Sequence, residues 1–395
     1  MGSPSWTLHC PSGFRLHLSD AVSPLSHSLW YVLKTSSKRS THFSRAKRVS
    51  KAAPLGVFTD VLSSETQKLL AESGALAAMQ TPNRLMRPLG VICETVNLCN
   101  SDCVFCPYSL QTRKFGTMEP ELFREVCQQY VFMGGGPMSL TPVVGDVLLD
   151  KELPSRLQVL RHCRHAIQPS VTTNLYGLDR HSDEVVNGML ECFTRIQVSV
   201  YGLTAEENTE ITRRSHFKKF AEQAHRLGHL WKGSSQRCNV VVSFRNLHNH
   251  PEPELRAYVR ECFGHEAWFV GSETRYANWG GRMSGDLPGD AQWVPLTQNR
   301  KPCMLLTVAL QVYWDGRVSA CACCDYDAGV DLALGSIREQ TLTEIYNSAA
   351  NRHIWADQEA GNMQNICRNC TFYLPLTRLQ QQPPVGQGWV NFVGG

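Results

Sequence analysis

Residues 88–108 read PLGVICETVNLCNSDCVFCPY. The first seven, Pro88–Glu94, are an apolar run of strand length. Directly after them come Cys99, Cys103 and Cys106, spaced C-x3-C-x2-C. A strand that feeds straight into such a loop puts the cysteines at its carboxyl end, where open α/β sheets and barrels carry their sites. Three thiolates so close in sequence can wrap one face of a cubane iron–sulfur cluster and leave the fourth iron open. A fully ligated cluster can only pass electrons, whereas an open iron can bind a substrate or cofactor. The other reading of clustered cysteines is zinc. Zinc wants four ligands, usually in C-x2-C or C-x4-C pairs, and the fourth here would have to come from far along the chain.

Outward from this loop the chain alternates strands and helices. Ser64 to Met79 is helix-like and precedes the first strand. Met118–Phe132 is an expected helix with Thr117 as N-cap, and Met138–Val144 a strand. Gly134, Gly135 and Gly136 between them read as a helix-ending loop. Lys151–His165 is a helix, Ile167–Thr173 a strand, Ser182–Cys192 a helix capped by its serine, and Arg195–Val200 a strand. Ser215–Leu227, Cys238–Phe244, Pro253–Phe263 and Ala267–Gly271 continue as helix, strand, helix and short strand. Near-continuous apolar strands separated by helices imply a parallel sheet covered on both faces. Six such units give an open sheet or a partial (β/α)6 TIM-like barrel, with its site at the carboxyl ends of the strands.

The loop NLCNSDCVFCPY on the first βα connection, with Phe105 just before the third cysteine, resembles the radical S-adenosylmethionine (SAM) family. In that family the open iron is chelated by the amino and carboxylate groups of SAM. The resemblance extends along the barrel. In MSLTPVVGDVLLD (138–150), Gly145-Asp146 stands where the family has a Gly-Gly-Glu-like turn beside the SAM amino group; the match is partial, because Val144 replaces the first glycine and Asp the glutamate. TTNLYG (172–177) is similar to the family's TNG at the third strand and brings in Asn174. QVSVYG (197–202) puts Ser199 near the SAM ribose, and Arg213-Arg214 follows as in many members. Gly145, Asp146, Asn174, Ser199 and Arg213 are therefore the SAM-binding residues that the resemblance implies.

A second group of cysteines closes the chain: Cys303, Cys321, Cys323, Cys324, Cys367 and Cys370. The order WDGRVSAC (314–321), LGSIREQTLTEIYNS (334–348) and ICRNC (366–370) resembles the SPASM/twitch domain of radical SAM enzymes, a small cysteine-rich unit around an auxiliary [4Fe–4S] cluster. No cysteine follows Cys370, which suits the one-cluster twitch form. The resemblance implies Cys303, Cys321, Cys367 and Cys370 as ligands, with Cys323 or Cys324 able to replace Cys321. A zinc ribbon is the alternative, since ligand type alone does not separate zinc from iron–sulfur. Cys127, Cys163, Cys192 and Cys262 fall in helical stretches and read as small buried hydrophobes.

Domain boundaries follow: a basic extension at 1–54, the radical SAM core at 55–271, a Gly/Pro/Asn-rich linker at 272–302, the auxiliary-cluster unit at 303–375 and a tail at 376–395. The extension holds eight Lys/Arg against one acid, a surplus of +7, so the rest of the chain carries −3 of the net +4. A mildly acidic body gives no argument for nucleic acid. The extension resembles a mitochondrial transit peptide in composition; a disordered basic tail or an upstream start codon reads equally from it. No apolar run is long enough to cross a membrane, and cysteine-rich chemistry in a chain of this length suits a reducing, cytoplasmic setting. The resemblance implies SAM and two [4Fe–4S] clusters as cofactors, and a flavodoxin- or ferredoxin-type reductant as partner. Its implied activity is reductive cleavage of SAM to a 5′-deoxyadenosyl radical that takes a hydrogen from substrate. A four-cysteine auxiliary cluster cannot bind substrate but can accept an electron, which favours a net oxidation. With no winged-helix leader-binding domain in 1–54, the expected substrate is a small molecule or free peptide. A peptide maturase or epimerase, and a non-enzymatic zinc protein, are the competing readings. In the linker, RYANWGG (275–281) offers Trp279 for stacking on substrate or for packing between domains.

Overall fold

A computed structural model describes residues 58–81, 85–298, 301–321 and 323–381; the expected basic extension and most of the tail lie outside these. Strands β1 (Gly90–Cys93), β2 (Gly136–Ser139), β3 (Ile167–Thr173), β4 (Arg195–Val200), β5 (Asn239–Arg245) and β6 (Phe269–Glu273) form a parallel array in sequence order. Ahead of them lie α1 (Ser64–Glu72) and α2 (Ala75–Met79). Between the strands run α3 (Pro120–Phe132), α4 (Leu153–Cys163), α5 (Asp183–Cys192), α6 (Ala205–Thr212), α7 (Phe217–Gly233) and α8 (Glu252–Phe263). Every residue of β1 and β4 is buried, as expected of strands covered on both faces. This is the expected partial (β/α)6 barrel. Cys127, Cys163, Cys192 and Cys262 do lie on its helices.

The expected ends shift where local chemistry decides them. Thr117 does not cap α3: it is bridged to Val96, and the helix begins at Pro120 behind Glu119. A proline at the first helical position needs no N–H partner and already has helical φ, so it fixes the start. Ser182 precedes α5 but makes no side-chain cap bond. β2 runs from Gly136 and stops at Ser139: Leu140 N still donates to Ser170 O, but Thr141 N turns to Ser139 Oγ instead of the ladder. β6 spans Phe269–Glu273 rather than 267–271.

The cysteine-rich unit is not a separate layer. After the short parallel pair β7 (Arg275–Tyr276) and β8 (Gln292–Trp293), and the short α9 (Leu305–Val308), strand β9 (Ala309–Val312) pairs in parallel with β1. β10 (Arg317–Ser319) and β11 (Ala333–Ser336) continue the sheet antiparallel, giving nine strands in the order β11-β10-β9-β1-β2-β3-β4-β5-β6. Helices α10 (Leu342–Tyr346), α11 (Ala349–Glu359) and α12 (Asn365–Arg368) close the unit. One hydrophobic core runs through both parts. A buried ion pair ties them further. Arg113 forks onto Glu94 at the end of β1 through Nη1 (2.6 Å) and Nη2 (2.9 Å), and its Nε donates to the carbonyl of Tyr326 (2.6 Å). Among the described residues no helix is long and apolar enough to cross a membrane.

Candidate functional site

The loop after β1 is held in place by backbone bonds. Asp102 N and Val104 N donate to the carbonyls of Thr212 (3.0 Å) and Ile211 (2.9 Å) on α6, and Cys106 N donates to Cys103 O (2.9 Å). Cys99, Cys103 and Cys106 thereby face one cleft of about 940 Å³, measured out into its open mouth. Thr141, Gly145, Asp146, Thr172, Asn174, Ser199, Arg245 and Glu273 also line it, all from the carboxyl side of the strands. Burial holds the thiol protons tightly: Cys106 is pushed up to about 12, and Cys99 and Cys103 are raised as well.

Asp146 is the hub of this end of the barrel. Its carboxylate is buried and accepts from Leu148 N (2.9 Å), Thr173 Oγ1 (2.9 Å) and Asn174 N (2.7 Å), while its own N–H donates to Leu98 O (2.7 Å) in the cysteine loop. One side chain thus joins the β2 turn, the end of β3 and the cysteine loop. Gly145 makes the turn possible: its φ is +144°, and a Cβ there would lie 3.0 Å from Leu98 O. Asn174 donates through Nδ2 to Asn100 Oδ1 (2.8 Å) and reaches Cys99 Sγ at 3.8 Å. Ser199 is buried on the cleft wall. Arg213 departs from its expected place: it is not among the residues lining the cleft. It ends α6 in a left-handed conformation, and its guanidinium pairs with Asp102 at 3.2 Å on the outer side of the cysteine loop.

The second group converges too. Cys303, Cys321, Cys324, Cys367 and Cys370 line an apolar pocket with Leu305, Leu306, Leu332, Ile366 and Tyr373. Cys324 Sγ lies 3.2 Å from Cys370 Sγ, so of the two spare cysteines it is Cys324 that reaches the pocket; Cys323 is not among its lining residues. Sequence reasoning missed Gln358, which is wholly buried in α11, accepts from Cys303 N (2.9 Å) and donates to Cys367 Sγ (3.6 Å).

Trp279 packs between domains. Its Nε1–H donates to Phe105 O (2.9 Å), inside the first cysteine motif. Its ring packs edge-on against Tyr326 and Phe372, each two residues beyond a cysteine of the second pocket. The neighbouring Asn278 exchanges hydrogen bonds with Thr371, and Phe105 stacks flat on Tyr276 at 3.9 Å. The turn 276–281 therefore grips both cysteine loops.

The donor sets fit iron–sulfur clusters. Three thiols open on a cleft suit a cubane with one free iron, and a pocket lined by five thiols can saturate a second.

Comparison with known proteins agrees with the geometry. The radical SAM superfamily model matches residues 93–240, and the SPASM iron–sulfur cluster-binding domain model matches residues 303–371. No curated protein matches the chain. Among solved structures, Streptococcus suis SuiB bound to precursor peptide SuiA is similar over 90% of this chain and 84% of that one, at 11% identity and a TM-score of 0.51. BtrN in complex with AdoMet and 2-DOIA covers 72% of this chain and 93% of its own, at 17% identity and a TM-score of 0.47. Identities this low speak to the fold alone. With the cysteine loop at the mouth of a partial barrel and the cysteine-rich unit extending the same sheet, the chain belongs to the radical SAM superfamily, as an enzyme with a C-terminal SPASM domain.

Proposed function

We propose that this enzyme is a radical oxidoreductase whose two cysteine sites divide the work between hydrogen abstraction and electron acceptance. The observation that carries the reading is the difference between them: three thiols open on a cleft, five thiols in an apolar pocket. Cys99, Cys103 and Cys106 would hold a [4Fe–4S] cluster with one iron left for SAM; Cys303, Cys321, Cys367 and Cys370 would saturate a second, with Cys324 a spare thiol beside Cys370. Bound there, the reduced cluster and SAM supply the one-electron cleavage that yields a hydrogen-abstracting radical. The chain's own residues do the positioning. Asp146 fixes the β2 turn against the cysteine loop, which presents the backbone at Gly145 to the SAM amino group. Asn174 and Ser199 offer polar groups on the adjoining strand ends. Tyr276 and Trp279 wall the cleft against water on the auxiliary side.

Anaerobic purification with iron, sulfide and SAM-cleavage assays tests this. Two cubanes amount to about eight Fe per chain, and replacing Cys99, Cys103 and Cys106 by Ala should leave about four. With dithionite the native protein should convert SAM to 5′-deoxyadenosine and methionine, and Cys103→Ala should not. The variant Cys367→Ala/Cys370→Ala should still cleave SAM yet fail to release oxidised product. Stoichiometric zinc without iron overturns the reading. A folded double variant that forms product at the native rate removes the electron-acceptor role.

A further inference from the structure

The wall of the cleft at β5 and β6 carries charge that the positioning of SAM does not use. Arg245 ends β5 and Glu273 ends β6, and the two are register partners across the ladder. Their side chains are 8% and 14% exposed and meet at 3.1 Å, Nη1 to Oε2. Both line the cleft with the three thiols. Tyr276 lies in the same wall; its ring stacks on Phe105, and its hydroxyl donates to the carbonyls of Asn246 (2.7 Å) and Glu273 (3.0 Å). The charged pair is thus set beside the aromatic layer that covers the cysteine motif.

Two other buried arginines show what a purely structural role looks like here. Arg113 commits Nε, Nη1 and Nη2 to Tyr326 O and Glu94, and Arg156 commits Nε and Nη2 to Asp150 and Met118 O. Each guanidinium binds protein acceptors through two or three of its nitrogens, and neither residue lines the cleft. Arg245 reaches Glu273 Oε2 and, at 3.5 Å, Ser243 Oγ through the one nitrogen Nη1, and it fronts the cavity. A buried ion pair returns little net stability against its desolvation cost, so a pair held in a cleft wall is better explained by what it offers a ligand. Burial also raises the Glu273 carboxyl to about 8 and lowers Arg245 from its usual value. Below about pH 8 Arg245 therefore faces a protonated carboxyl, and an anion arriving there supplies the missing counter-charge.

We propose that Arg245 anchors a carboxylate of the substrate, and that Glu273 positions the guanidinium and selects a monoanion. This rests on the oxidoreductase reading and adds the substrate class to it. Arginine meets a carboxylate bidentately with two parallel N–H donors. Above about pH 8, where Glu273 is ionised, its carboxylate next to that seat repels a second negative charge, which disfavours a phosphate dianion. A substrate fixed there extends its remainder along the Tyr276–Phe105 layer into the space above Cys99, Cys103 and Cys106.

The test is calorimetric titration of the iron-reconstituted, SAM-bound enzyme with three probes: N-acetylalanine, its neutral amide and inorganic phosphate. Saturable binding of the carboxylate, with the amide and phosphate at least tenfold weaker, is expected. Loss of one buried charge-assisted contact corresponds to about 10- to 100-fold, so Arg245→Gln should weaken the carboxylate by that factor. Arg245→Lys should restore part of it, and Glu273→Gln should narrow the preference over phosphate at pH 9, where Glu273 is ionised, more than at pH 6. Should Arg245→Gln fail to fold, the same comparison is read from Arg245→Lys and Glu273→Gln, whose melting curves serve as controls. Equal affinity for acid and amide, undetectable binding of both, or an unchanged Arg245→Gln overturns the proposal. So does a parallel loss of SAM affinity in Arg245→Gln, which would give the pair to the cofactor. Iron content and SAM binding are measured on the native protein first. Their absence sinks the oxidoreductase reading, whereas their presence with no carboxylate selectivity sinks the anchor alone.

Discussion

Replacing Trp279 should separate three contributions that the structure assigns to one side chain. Trp279 is 3% exposed and is wedged between the two cysteine loops. Its backbone φ of +53° lies in the left-handed region, where a side chain is strained. Trp279→Phe keeps most of the edge packing but leaves Phe105 O without its donor, a cost of about 1–2 kcal/mol. Trp279→Ala empties the wedge, for about 3–5 kcal/mol. Trp279→Gly empties it too, but relieves the left-handed strain by about 1–2 kcal/mol. The order of stability should be native, Phe, Gly, Ala. That inverts the usual rule by which glycine is worse than alanine within a regular element. Denaturant unfolding of the apo protein gives the order, and iron content after reconstitution reports whether the loosened turn still supports both cysteine loops. If alanine proves as stable as glycine, or all three fall within about 0.5 kcal/mol of native, the wedge argument fails.

Other consequences follow from individual contacts. Glu273 has its carboxyl raised to about 8 against an ordinary value of 4.5, so the folded state holds the proton longer than the unfolded one. Its contribution to stability is full below about pH 4.5, falls as the pH rises towards 8, and levels off above. The melting temperature of Glu273→Gln relative to native should therefore climb between pH 5 and pH 8 and then flatten; a difference that is constant with pH would contradict this. At Gly280, φ is +68° and an added Cβ would lie 2.4 Å from Ile366 Cγ1, beside the Cys367–Cys370 pair. Gly280→Ala should cost about 1–3 kcal/mol and lower the iron retained by the auxiliary site before that of the first; a neutral effect in both measurements would show that the turn gives way. Breaking the buried pair at one end, with Arg113→Met or Glu94→Leu, should cost about 3–5 kcal/mol, and the double variant clearly less than the sum. Strict additivity of the denaturation free energies would mean the two are not coupled.

Much of this protein is legible along the chain because its chemistry is local. The C-x3-C-x2-C loop after an apolar strand lies within twenty-one residues, 88–108, and the alternation of apolar strands with helices depends on periodicity that short windows carry. Both survive intact in β1–β6 and the loop at the cleft. Element ends were less legible, because Pro120 fixes the start of α3 and the Ser139 hydroxyl takes Thr141 N from the ladder, against the apolar pattern. What only the tertiary structure decided depends on contacts between residues far apart in sequence. The pairing of β9 with β1, which makes the cysteine-rich unit an extension of the barrel sheet, joins residues more than two hundred positions apart. That Cys324 is the cysteine that reaches the pocket depends on its approach to Cys370, across 46 positions. Arg213 matches by its place in the sequence yet is not among the residues lining the cleft; it ends α6 in a left-handed conformation and pairs with Asp102. In the sequence Arg245 falls just past the strand expected to end at Phe244, and Glu273 falls in the expected linker. They become a buried pair in the cleft wall only when β5 and β6 lie in register.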